Sequence, residues 1–129
     1  MSAYRYLLIL GSGTAGEAQL ARARAALAGE GRILALSPMI SGGSVVAGDP
    51  HRYANQALLF ETALERTAFN ARLKALEVEL GRHPGDAACA IDLDLAREYA
   101  PDGELRWENP AKLGHPVFVD LAAQVAPVR

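Results

Sequence analysis

Cysteine is almost missing: Cys89 stands alone among 129 residues. A single thiol forms no intrachain disulfide and anchors no cysteine-rich zinc cluster. Positive charge is not in surplus either. Thirteen Lys and Arg against fifteen Asp and Glu give a net charge of −2, so nothing in the charge balance favours nucleic acid or an anionic membrane. Long apolar runs are lacking too. The strongest, Leu7-Leu8-Ile9-Leu10, is too short for a signal-peptide core or a membrane span. No internal repeat or low-complexity linker interrupts the chain. These absences lead to the expectation of one cytoplasmic domain over residues 1–129, a monomer without nucleic-acid or membrane partners. Half of the residues are hydrophobic, enough for a compact core.

What is present falls into alternating elements. Residues 4–10 read as a strand buried on both faces. Thr14 and Glu17 have capping-box spacing, and Leu20, Ala23 and Leu27 follow on one helical stripe, stopped at Gly29 or Gly31. Residues 32–36 form a short second strand. Residues 37–50, with Pro38, Gly42, Gly43, Gly48 and Pro50, read as a long loop. A strand follows over 53–62. Thr67 is placed to cap a second helix with Phe69, Leu73, Leu76 and Leu80 on one stripe, ended by Gly81. Residues 89–99 alternate: Cys89, Ile91, Leu93 and Leu95 face a core, and Ala88, Ala90, Asp92, Asp94 and Ala96 face the other way. Pro101-Asp102-Gly103 turns the chain into a hairpin strand at 104–107, and 117–125 form a last short helix. The order is an α+β plan: a ferredoxin-like βαββαβ core with a mainly antiparallel sheet, both long helices on one face, then a C-terminal hairpin and helix.

Four groups of residues could carry chemistry. Asp92 and Asp94, at i and i+2 on a strand, project from one face about 7 Å apart. Paired carboxylates repel, and hard oxygen ligands suit Mg²⁺. The neighbouring alanines would leave space above them, and no basic residue occupies the adjacent same-face positions. A solvated polar face is the plain alternative. Gly11-Ser12-Gly13-Thr14-Ala15-Gly16 spells a dinucleotide-binding fingerprint. However, the second strand ends without the acidic residue that would hold a ribose, so a tight strand-to-helix turn is the better account. Tyr53 and Asn55 alternate onto one face and could hold a flat heterocycle with amide-like edges. Equally, Tyr53 could be core and Asn55 could satisfy loop backbone. Glu77 and Arg82 flank the end of the second helix, where surface pairing, Glu77 with Lys74 included, would account for both. His51, His83, Cys89 and Trp107 show no ligand or nucleophile spacing.

Taken together, these segments resemble the 6-hydroxymethyl-7,8-dihydropterin pyrophosphokinases of folate biosynthesis. Leu10-Gly11-Ser12 is similar to the end of that family's first strand. Pro50-His51-Arg52-Tyr53-Ala54-Asn55-Gln56-Ala57 resembles its P-x-x-Y-x-N-x-A segment. Glu77 to Gly81-Arg82 resembles its E-x-x-x-G-R, and Asp92-Leu93-Asp94 its D-L-D signature. The resemblance implies an Mg-dependent transferase and kinase, moving pyrophosphate from ATP to the hydroxymethyl-dihydropterin. It implies two Mg²⁺ ions on Asp92 and Asp94 and a pterin held by Tyr53 and Asn55. ATP would lie near Glu77, Arg82 and His115, with Arg82, Asp92 and Asp94 catalytic. Val117 or Phe118 would take the ring-stacking position. The chain departs from the pattern between Arg82 and Asp92, where the family's arginines and tryptophan are missing. It also lacks the Thr-Pro-Pro of the first long loop. These losses imply weakened activity, or a member that keeps the fold and a ligand without the reaction.

Overall fold

The computed structural model describes residues 3–13, 16–43, 52–83, 85 and 90–127. Its elements are β1 (Tyr4–Ser12), α1 (Gly16–Ala28), β2 (Arg32–Leu36), β3 (Ile40–Gly43), β4 (Arg52–Thr62), α2 (Arg66–Glu79), β5 (Asp92–Tyr99), β6 (Leu105–Glu108), a 3₁₀ turn (Pro110–Leu113) and α3 (Pro116–Val125). The sheet has six strands in the order β2-β4-β1-β5-β6, with β3 also on β4, and every pairing is antiparallel. This is the expected α+β, ferredoxin-like arrangement. The parallel, doubly wound sheet that a dinucleotide fingerprint needs is not the one found.

Alternation along β1 divides the interior into two layers. Tyr6, Leu8 and Leu10 meet Leu20, Ala23 and Leu27 of α1 and Phe69, Leu73 and Leu76 of α2, so both long helices lie on one face. Phe69 stacks between Tyr6 and Phe60, with ring centroids 4.9 and 5.5 Å away. Each such buried ring contributes roughly 1.5–3 kcal/mol of transfer free energy. Leu7 and Ile9 point the other way, against Leu121, Ala122 and Val125 of α3. Ile91, Leu93 and Leu95 join the first layer.

β5 contains a bulge. Leu8 pairs with Leu95 but Leu7 pairs with Arg97, so Ala96 is an extra residue. Beyond it the faces exchange: Glu98 faces α2, where it meets Arg66 at 3.2 Å, and Tyr99 joins the second layer. Ala96 is itself fully buried in that second layer. It therefore does not open space above the carboxylates, contrary to the sequence expectation.

Two local expectations are corrected. α2 is capped by Glu65, not Thr67: the Glu65 carboxylate accepts from the Thr67 and Ala68 amides at 3.0 and 2.7 Å. Those bonds hold its pKa below the ordinary glutamate value. An ionised acceptor at a helix N-terminus outcompetes a hydroxyl. Residues 37–50 are not all loop, because Ile40–Gly43 pairs with the end of β4 that β2 does not reach. Backbone pairing to an open strand edge needs no apolar side chain, so Ser41 and the glycines served it without a hydrophobic signal. Thr14, Cys89, His51 and residues 44–50 of the expected loop lie outside the described residues.

Candidate active site

α2 ends at Glu79 with Leu80 as its C-cap, and Gly81 follows with a φ of +103°, a backbone conformation that glycine adopts without strain. The turn there returns Arg82 over the last helical turn. Glu77 sits on the inner stripe of α2, between Leu73 and Leu80, and is only 3% exposed. It is not the surface charge the sequence suggested. Its carboxylate accepts from the Leu93 backbone amide at 2.8 Å, from Lys74 Nζ at 2.9 Å and from Arg82 Nη1 at 3.0 Å. Glu77 thus ties α2 to β5 and holds two cations in place.

The next layer is the acidic pair. Arg82 also donates to Asp92, bridging it to Glu77. Asp94 meets Lys112 Nζ at 3.2 Å and Lys74 Nζ at 3.5 Å. The two aspartates are therefore not without cationic neighbours; the cations come from α2, the turn that follows it and the 3₁₀ turn. Burial, then the nearby Asp94 charge, raise the Asp92 pKa, with Arg82 opposing. Glu77, Asp92 and Asp94 each offer a carboxylate oxygen, all within 4.8 Å of one another. Such an oxygen-only set, spaced to converge on a small ion, fits Mg²⁺.

Lys112 had no signal in the sequence. The hairpin stops where Asn109 donates to the Ala96 carbonyl at 2.9 Å, and the Asn109 side chain then caps the 3₁₀ turn at Ala111. That turn carries Lys112 alongside the stretch of β5 that β6 does not pair. A cleft of about 330 Å³ opens there, lined among others by Asn70, Lys74, Asp94, Trp107, Asn109 and Lys112. Arg66 lies 4.5 Å over the Trp107 ring and forms another part of its wall.

The opposite side of the acidic pair is a shelf. Asn55 pairs with Gly11, and Gly11 pairs with Asp92, so the three share one row across β4, β1 and β5. Ile40 extends that row on β3. Two strand spacings separate Asn55 from Asp92, about 10 Å between backbones. A Cβ on Gly11 would lie 2.8 Å from Asn55 Nδ2, and one on Gly13 would lie 2.8 Å from Tyr53 Cε1. A side chain at either position would therefore displace Asn55 or Tyr53, which lie over these glycines. Asn55 Nδ2 donates to the Leu10 carbonyl at 3.3 Å, which orients its amide across the sheet.

His115 is exposed and N-caps α3: its Nδ1 accepts from the Val117 amide at 3.2 Å. That bond leaves Nε2 as the protonated nitrogen. Phe118 packs against the second layer and edge-on to the His115 ring, with centroids 6.1 Å apart. Val117 is half-buried.

The fold and site together define a ferredoxin-like α+β protein with an oxygen-only, cation-bridged carboxylate cluster beside a shelf and a cleft. Comparison with known families makes this particular: residues 7–127 match the family 7,8-dihydro-6-hydroxymethylpterin-pyrophosphokinase (HPPK), and the chain belongs to it. No curated protein matches it. The family is one of pterin pyrophosphokinases in folate biosynthesis. Among the described residues, no helix is long and apolar enough to cross a membrane.

Proposed function

We propose that this chain, acting as one domain, transfers the terminal pyrophosphoryl group of ATP to the hydroxymethyl oxygen of 6-hydroxymethyl-7,8-dihydropterin and releases AMP. The observation that carries this reading is the row Asn55, Gly11, Asp92. It sets an amide suited to a heterocycle edge and a carboxylate suited to a metal on one sheet face.

The geometry supports the following roles. Asn55 pairs with the amide-like edge of the pterin and Tyr53 supplies a ring face beside it. Asp92 and Asp94 would hold the two Mg²⁺ ions, which would supply charge neutralisation to the phosphates. Glu77 stays behind them as the anchor of Lys74 and Arg82. The nucleotide occupies the cleft between α2 and the 3₁₀ turn. His115 offers its Nε2 proton to a phosphate oxygen. The missing arginines between Arg82 and Asp92 make turnover slower than in a relative that has them, since each lost donor to the developing charge costs about 3 kcal/mol.

The test is AMP release from ATP that depends on the hydroxymethyl-dihydropterin and on Mg²⁺. Pterin-dependent release supports the reading. Binding of both ligands without release would leave a member that keeps the ligands and not the reaction, and absence of both would end the proposal. In the same system Asn55→Ala is expected to weaken pterin binding by about 1–3 kcal/mol, because one edge of the ring loses its partner. Titration of the pterin into the two proteins measures this, and equal affinities would remove Asn55 from the site.

A further inference from the structure

Three carboxylates and three cations meet at this site, and two of the cations converge on one atom. Lys74 Nζ lies 2.9 Å from Glu77 Oε2, 3.2 Å from the Leu93 carbonyl oxygen and 3.5 Å from Asp94 Oδ1. Lys112 Nζ lies 3.2 Å from that same Asp94 Oδ1. The Lys74 ammonium is thus surrounded by three oxygens, as a bound cation would be. Both lysines line the cleft beside Asp94, and both side chains are about two-fifths exposed. Their long stems leave room to turn toward the cleft.

We propose that Lys74 and Lys112 are exchangeable counter-ions: they neutralise Asp94 in the empty site and turn to the ATP phosphates when metal and nucleotide arrive together. This rests on the reading of the site as a metal–nucleotide site. The argument is charge balance. With the lysines in place, Glu77, Asp92 and Asp94 are already offset by Lys74, Arg82 and Lys112. A divalent ion alone must enter beside ammonium groups and create a positive surplus. A divalent ion carried by a triphosphate brings the anion that the displaced lysines need. The lysines therefore oppose metal alone and favour metal with nucleotide. They also supply positive charge to the phosphates from α2 and the 3₁₀ turn, whereas the stretch between Arg82 and Asp92 has no lysine or arginine.

The two effects have opposite signs, and one substitution separates them. Lys112→Met keeps the stem and removes the charge, and Asp94 is the Lys112 partner among the described ion pairs. Two probes are titrated into the parent and the variant: Mn²⁺ alone, followed by its paramagnetic resonance signal, and Mg²⁺ with a methylene-bridged, non-transferable ATP analogue, followed by calorimetry. The variant is expected to bind Mn²⁺ about threefold to tenfold more tightly and the Mg–analogue complex about tenfold more weakly. Lys112→Arg restores the second affinity. A variant that binds both probes as the parent does, or shifts both in one direction, overturns the exchange while leaving the metal–nucleotide site standing. A parent that does not bind the Mg–analogue complex overturns the site and the exchange together. Far-ultraviolet circular dichroism and the melting temperature show that each variant is folded when titrated.

Discussion

Glu77→Ala is expected to lower stability by about 3–5 kcal/mol, the usual range for removing one partner of a buried ion pair. The carboxylate is 3% exposed and meets three donors at once. Its removal orphans the Leu93 amide beneath α2 and leaves Lys74 and Arg82 without their inner anion. Glu77 makes the tie to the Leu93 amide itself, and it holds Lys74 and Arg82, which make the other ties to the start of β5. For a chain of this size the loss corresponds to a fall in melting temperature on the order of 10–20 °C. Glu77→Gln keeps an oxygen for the Leu93 amide and should lose clearly less. A thermal denaturation series on the three proteins decides the matter. An alanine variant melting within about 3 °C of the parent would show that Glu77 is not the anchor described.

The second large effect runs the other way in stability. Asp92→Asn is expected to melt no lower than the parent at neutral pH, while its affinity for Mg–ATP falls by more than the roughly 10–100-fold typical of losing an outer-sphere partner. The Asp92 pKa is raised, first by burial and then by the Asp94 charge, with Arg82 opposing. A carboxylate whose pKa is raised on folding favours the folded state while it is protonated. That contribution is complete below the ordinary aspartate value and is lost as pH rises through the raised one. At neutral pH the charged form is therefore a burden on the fold, and asparagine relieves it. The relief should disappear in acid, where the parent's Asp92 is protonated too. Melting curves across that range, together with Mg–ATP titration, test both halves. Unchanged nucleotide affinity in the variant would remove Asp92 from the metal set.

Much of this architecture was readable beforehand because period and punctuation are local. The bounds of β2, the α2 stripe and the alternation of Ile91, Leu93 and Leu95 depend on residues a few positions apart. Asp92 and Asp94 were visible for the same reason. Alternation tells which face a residue takes, but not what lies opposite. Lys112 reaches Asp94 only because the hairpin folds back and the 3₁₀ turn docks beside β5. No spacing rule joins positions 94 and 112. The burial of Glu77 was closer to legible. It is four residues after Leu73 and three before Leu80, on the inner stripe, and an acidic residue there already implied a buried partner. β3 was hidden for a different reason: its pairing is backbone to backbone, and glycine and serine advertise none of it. Gly11 and Gly13 stand in a dinucleotide-binding spacing, but what meets them in the fold is the pair of side chains lying over them.

The bulge at Ala96 also sets how this strand can change over evolutionary time. Side chains in a strand have parity, and one added or deleted residue inverts it for everything downstream. In β5 the extra residue places Asp94 and Tyr99, an odd number of positions apart, on the same face. Losing that residue would either turn the carboxylates under α2 or turn Glu98 away from Arg66. Insertions and deletions inside β5 are therefore heavily constrained. The segments on either side have no parity to keep. Shortening the chain between Arg82 and Asp92 or trimming the hairpin leaves both halves of the strand facing as before. Length variation in this family member should accordingly accumulate beside β5 and not within it.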